Sequence, residues 1–262
     1  MMRTAWSRLI AAAGAALAIG LGIAACNGSG YSRATTPTVP TATGIWEGTD
    51  SVTKLSVTGY VDSANNAVFI RGDGAQFVGP TQLSGDTFIA AVIGYSSFPA
   101  AFADGSNYGV GTLNGTVAPG STLTLTLSFT TNGGTAEAGS WSLTYSTLSS
   151  SGSSLTKISA NYTDTASGSV ISISGNGVMT GQDPANSCVV NGTVSIVNST
   201  YDIYQVTLTY ENCTGSYAVL NGVQLTGLAV LNTSTTPSQL TIELAGASTT
   251  AKFALVLNLT GA

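Results

Sequence analysis

The sequence predicts an all-β protein: two tandem antiparallel meander β-barrels (or sandwiches) of about eight strands each, after an N-terminal signal peptide and a flexible tether. Three observations predict it. From Thr43 onward the apolar residues recur with a period of two, the spacing that places alternate side chains on opposite faces of a strand. Thr, Val, Ile and Tyr, residues that suit a pleated surface, are enriched in these runs. Turn signals interrupt them at short intervals, and no stretch after residue 43 carries helical spacing. The chain of 262 residues is only 7 % charged but 43 % hydrophobic, so it can bury a core despite its low charge.

The elements follow in chain order. Arg3 and Arg8 begin a positively charged segment, and residues 9–25, LIAAAGAALAIGLGIAA, form an apolar run ending in small residues. This is the pattern of a secretory signal peptide over residues 1–25. The alternative is an uncleaved membrane helix, for which seventeen residues rich in Ala and Gly is short and weakly apolar. Ile23-Ala24-Ala25-Cys26 resembles the lipobox of bacterial lipoproteins. The resemblance implies that Cys26 receives a diacylglyceryl group, that the preceding peptide is removed, and that the new amino group is acylated, palmitate being one such chain. Each buried methylene adds about 0.8 kcal/mol of membrane affinity, so two or three chains anchor firmly. Asn27 rather than Asp after the cysteine resembles sorting to the outer membrane. Residues 26–43, rich in Ser, Thr, Gly and Pro, then read as a tether that reaches on the order of 20 Å.

Loss of Arg3 and Arg8 would leave five bases against twelve acids, a net charge of −7. No Lys/Arg cluster exists to meet phosphates, which argues against nucleic acid as a partner. The first β domain spans 44–147, with strands expected at 44–50, 53–61, 66–71, 75–83, 86–95, 108–117, 122–130 and 135–146. The clearest is TLTLTLSF, in which Leu123, Leu125, Leu127 and Phe129 share one face and Thr122, Thr124, Thr126 and Ser128 the other. A Ser-rich linker at 148–154 separates it from a second β domain, 155–262, again with seven or eight strands. LNGTV at 113–117 and VNGTV at 190–194 repeat across the halves.

Gly44-x-Trp46 on the first strand resembles the start of lipocalin-like barrels, in which the Trp plugs the closed end. That family stacks an Arg from the last strand on the Trp, and residues 135–146 contain none. Taken whole, the lipobox, WEG at 46–48, the repeated NGTV and NCTGSYAVLNG at 212–222 resemble tandem β-domain lipoproteins of proteobacteria, a resemblance that implies no activity.

Cys188 and Cys213 form an even pair in an exported chain and so are expected to be disulfide-bonded. A symmetric hairpin turning at residues 200 and 201 pairs positions whose numbers sum to 401, which would set the two cysteines opposite each other. With no His and no third cysteine outside the lipobox, no metal site is expected, nor a catalytic triad, and no cofactor is implied. Asp62, Asp73, Asp86 and Asp104 fall in turns, where aspartate bonds its own backbone. RGD at 71–73 lies at a hairpin tip, where it could serve adhesion. The longest connection in the first half, 96–107, carries Phe98 and Phe102, read either as a ligand lid over the first barrel's mouth or as packing onto that barrel. The expected function is a lipid-anchored, non-enzymatic binding or interaction module of the outer membrane. Its partners would be the membrane, through the acyl chains, and an envelope protein or a small apolar ligand. The alternatives are a structural envelope protein, an outer-membrane pore or a carboxylate-dependent hydrolase.

Overall fold

The computed structural model describes residues 41–164, 167–248 and 252–262. The signal peptide, Cys26 and the tether up to residue 40 lie outside the described residues. Strands β1 (Gly44–Asp50), β2 (Ser56–Val61), β3 (Asn66–Arg71), β4 (Gln76–Ser84), β5 (Thr87–Tyr95), β6 (Tyr108–Ala118), β7 (Thr122–Thr131) and β8 (Ala136–Tyr145) pair in chain order, and β1 also pairs with β8. The first sheet is therefore a closed up-and-down barrel rather than a sandwich. β9 (Asn161–Thr163), β10 (Val170–Ile173), β11 (Val178–Asp183), β12 (Cys188–Ile196), β13 (Tyr204–Glu211), β14 (Gln224–Asn232), β15 (Gln239–Ala247) and β16 (Lys252–Gly261) form a second closed barrel, sealed where β16 meets β9. Closure removes the exposed strand edges that an open sheet would present.

The period of two becomes burial directly. In β7 the even positions are exposed while Leu123, Leu125, Leu127, Phe129 and Thr131 are buried. An eight-stranded barrel leaves room inside for side chains and little else. The first barrel fills it with Trp46, Phe69, Phe77, Phe88, Phe129 and Trp141, stacked edge-on or tilted at centroid separations of 5.4–6.2 Å where they meet. Two inward glycines make the space. A Cβ on Gly59 would lie 2.4 Å from the Phe69 ring, and one on Gly94 2.4 Å from the Phe129 ring. Trp46 is fully buried, donates its indole N–H to the carbonyl of Ala42 at 2.8 Å, and meets the Tyr145 ring edge-on at 5.2 Å. Tyr145 belongs to the last strand of this barrel, so the ring contact joins its first strand to its last.

β2 starts at Ser56, later than the alternation suggests, because residues 51–55 turn instead. The Asp50 carboxylate accepts from the Val52 N–H and the Thr53 hydroxyl, and Lys54 takes a φ of +64°. The Ser-rich stretch between the barrels is ordered too. A 3₁₀ turn (Thr147–Ser151) is followed by helix α1 (Leu155–Ile158), whose N-cap Ser154 accepts from the Lys157 N–H at 3.0 Å. Ser149 is buried and its hydroxyl accepts from the Ile45 N–H at 2.8 Å. The buried Asp202 holds the stretch from the other side, accepting from Ser151 Oγ at 2.7 Å and lying 3.3 Å from Lys157 Nζ. Ile158 and Leu155 of α1 then pack on the second barrel's core. The repeated NGTV falls in β6, the sixth strand of one barrel, and in β12, the fourth of the other, so the two copies are not equivalent in the fold.

The barrels meet side by side through their outer faces. Ile45, Tyr60 and Val68 pack with Ile203, Leu228 and Val230, and Tyr95 packs with Ala245 and Ala254. Gln205 Nε2 donates to Asp62 Oδ2 at 3.0 Å, and the Phe98 N–H donates to the Ala254 carbonyl at 3.0 Å. β3 and β14 are accordingly buried on both faces, with runs such as Ala67–Phe69 and Leu228–Leu231 that do not alternate.

Candidate functional site

The rim of the second barrel opposite α1 gathers the ends of β9, β11 and β13 and the starts of β10, β12 and β16. The cysteines sit here, joined as a disulfide with Cα atoms 4.1 Å apart. The register differs from the expected one: β12 and β13 pair at numbers summing to 400, as in Val190 with Tyr210 and Val194 with Val206. Even positions face inward on both strands, so an uninterrupted ladder would set Cys188 against residue 212. Asn212 instead takes a φ of +59° just past the strand, and this extra residue turns Cys213 inward onto Cys188.

The disulfide ties together two turns that carry polar side chains. On one side Asp183 accepts from the Ala185 N–H at 3.0 Å, the Asn186 N–H at 3.3 Å and Asn186 Nδ2 at 2.8 Å, which fixes the turn before Cys188. On the other, Asn221 accepts from the Cys213 N–H at 2.7 Å and donates back to its carbonyl at 3.0 Å, bracing the 3₁₀ turn (Gly215–Leu220) that holds Tyr217. The Thr214 N–H donates to the Asn186 carbonyl at 2.8 Å and links the two directly.

The long connection of the first barrel reaches this rim. Its two phenylalanines part: Phe102 packs on its own barrel beside Phe129 at 5.5 Å, whereas Phe98 crosses to the second barrel. There Phe98 meets Tyr217 edge-on at 5.1 Å and Phe253 at 5.6 Å. Beneath it lies a cavity of about 120 Å³ whose lining includes Asp164, Gln182, Asp183, Tyr210 and Tyr217. Tyr210 is only 4 % exposed and lines this cavity. Burial, then the neighbouring Tyr217 and the Asp183 charge, push its pKa far above the ordinary tyrosine value. Burial, Asp183 and Asp164 push Tyr217 upward as well. Both phenols stay protonated at neutral pH and can donate or accept.

Other concave regions offer less chemistry. An open-sided groove of about 340 Å³ between the barrels is lined by residues such as Val78, Pro80, Gln205 and Thr226, with no charged side chain. At the first barrel's mouth Arg71 is buried. Its guanidinium binds Asp73 at 2.8 Å and Glu137 at 3.2 Å and lies 5.7 Å from the centre of the Phe77 ring. The RGD tripeptide thus turns its arginine into the barrel rather than offering it to a partner. Burial works to raise the Asp73 pKa, and Arg71 outweighs it and holds the carboxyl below its ordinary value. Asp104, also at this mouth, accepts from the Thr131 hydroxyl. Among the described residues no three His, Cys, Asp or Glu side chains converge on a metal-sized site.

Of the residues singled out by sequence, Phe98, Cys188 and Cys213 meet at this rim, Phe102 belongs to the other barrel, and Cys26 lies outside the described residues. Asp183, Tyr210 and Tyr217 were not singled out. Tyr210 carries one signal, as the last inward position of IYQVTLTY, and Asp183 another, heading the turn sequence DPAN. Comparison with protein-family models, with curated proteins and with solved structures gives no match.

Proposed function

We propose that this chain is a lipid-anchored, non-enzymatic binding module of the outer membrane, held by acyl chains on Cys26, that takes a small ligand at the mouth of its second barrel. The observation that carries the reading is a small cavity in the second barrel lined by Asp183, Tyr210 and Tyr217 and shared by a residue of the other barrel, Phe98. A concave site lined mostly by aromatic and apolar side chains with a few convergent polar groups is the usual form of a small-molecule site. The first barrel, filled by six stacked rings, serves in this reading as the scaffold that presents Phe98. That filling also favours a second reading, a structural envelope protein in which Phe98 is a permanent plug. Native mass spectrometry of the protein extracted from its own envelope separates the two. A binding module retains a small molecule that is lost on Tyr210→Phe, and a structural protein shows the bare chain mass in both forms. The anchor is tested by fractionation: a Cys26→Ser chain should leave the membrane fraction, and one that stays there under carbonate or urea extraction refutes the lipid anchor.

A further inference from the structure

We propose that the second barrel's mouth is a site for a small organic cation, an ammonium group on a body of a few heavy atoms. The proposal rests on the reading of this mouth as a binding site and adds the class of its ligand.

Charge is the first argument. Among the described residues the cavity lining includes two carboxylates, Asp164 and Asp183, and no lysine or arginine. Histidine is absent from the whole chain. Lys252 opens β16 two residues before Ala254, yet its ammonium sits over the Tyr108 ring at 4.0 Å on the side of the first barrel. An anion placed here would meet two like charges in a partly dry site, whereas a cation would meet two opposite ones.

The aromatic lining gives the second argument. Phe98, Tyr210 and Tyr217 present three rings to one small space. Ring faces carry negative quadrupole density and attract an ammonium group within about 6 Å of the centroid. The pairing of carboxylates with ring faces suits an ammonium better than a neutral polyol, which gains nothing from either charge.

Hydrogen bonding and size complete it. The Tyr210 hydroxyl at the cavity wall can accept from an ammonium N–H while its ring remains in contact. The Asp183 carboxylate already accepts three protein donors, which orient it. A cavity of about 120 Å³ falls well below the roughly 300–1,000 Å³ of drug-sized sites, so the occupant is small. The disulfide and the Thr214–Asn186 bond keep the Asp183 and Tyr217 turns in register.

The test is calorimetric titration of the full-length protein in detergent with tetramethylammonium, ethylammonium, sodium acetate and glycerol. The two ammonium salts should bind saturably and more weakly as salt rises, and the anion and the polyol should not. Tyr217→Leu should weaken ammonium binding at least tenfold, and Tyr217→Phe, which keeps the ring, by less than threefold. Asp183→Asn should weaken it at least tenfold as well, while circular dichroism and the unfolding midpoint check that its turn persists. Binding of glycerol or acetate that Tyr217→Leu abolishes would overturn the cation class and leave the binding reading intact. Absence of any binding, with Phe98→Ala equally silent, would overturn both. Ammonium binding indifferent to Tyr217→Leu places the ligand elsewhere and also sinks the proposal.

Discussion

Replacing Glu243 by glutamine should remove a pH dependence that the barrel interface builds into this protein. Glu243 lies on the outward face of β15, pressed against the first barrel, and is 1 % exposed. Among the described residues its Oε2 has no hydrogen-bond partner, and the Tyr60 hydroxyl bonds the carboxyl. Burial raises its pKa well above the ordinary glutamate value, and the weaker pull of Tyr60 does not reverse this. The carboxyl is therefore protonated in the folded protein at pH values where the unfolded chain has released the proton. Unfolding then releases one proton, so this contribution to stability is complete below about pH 4.5 and is lost as pH rises toward the folded pKa. One proton fixes the slope at about 1.4 kcal/mol per pH unit. Glutamine has the same shape, can still meet Tyr60, and cannot ionise. The other acids with shifted values, Asp50, Asp73 and Asp104 downward and Asp202 upward, are common to both proteins and cancel in the difference. Urea unfolding at pH 5 and pH 6, followed by tryptophan fluorescence and circular dichroism, should show the variant gaining on the wild type between the two, by at most about 1.4 kcal/mol. Parallel stability curves for the two proteins would refute the reasoning, because they would mean that Glu243 is solvated and ionises alike in both states.

Three further outcomes follow from the packing. Reducing the Cys188–Cys213 bond, or replacing both cysteines by alanine, should cost about 3.5 kcal/mol in urea unfolding, the figure for a loop with a separation of 25 residues. Phe129→Ala should cost about 3–5 kcal/mol, because Phe77 and Phe102 both pack on that ring, and the loss should appear as a lower urea midpoint. Asp202→Ala should free the stretch at 147–154 by removing its bonds to Ser151 and Lys157, which limited proteolysis would register as a new cleavage between the barrels without loss of either.

Much of the first barrel was legible residue by residue, because its strands alternate and its turns are rich in Gly, Asn and Asp. β7 is the plainest case, with five buried and five exposed side chains in strict succession. The second barrel was harder because β9 and β10 have only three and four residues, too few to show a period. The cysteine pair was found with the wrong register. Tyr204, Val206, Leu208 and Tyr210 face inward, so the inward partners on β12 are the even positions, and odd Cys213 joins them through the left-handed turn at Asn212. The interface between barrels also left a trace: AVFI in β3 and LAVL in β14 break the alternation, as strands covered on both faces do. Glu243, an acid inside the similar run TIELA of β15, marks the same surface. The mouth of the second barrel left almost none. Phe98, Asp164, Asp183, Tyr210 and Tyr217 come from five separate segments, and only closure of the barrel and docking of its neighbour bring them together.

The site at that mouth is tested most directly by NMR of the tyrosine rings as tetramethylammonium is added to the full-length protein. Tyr210 and Tyr217 should shift together with one apparent affinity, while the Trp46 and Trp141 indole signals of the filled first barrel stay still. Unmoved Tyr210 and Tyr217 signals, or shifts scattered among the other tyrosines, would contradict the account.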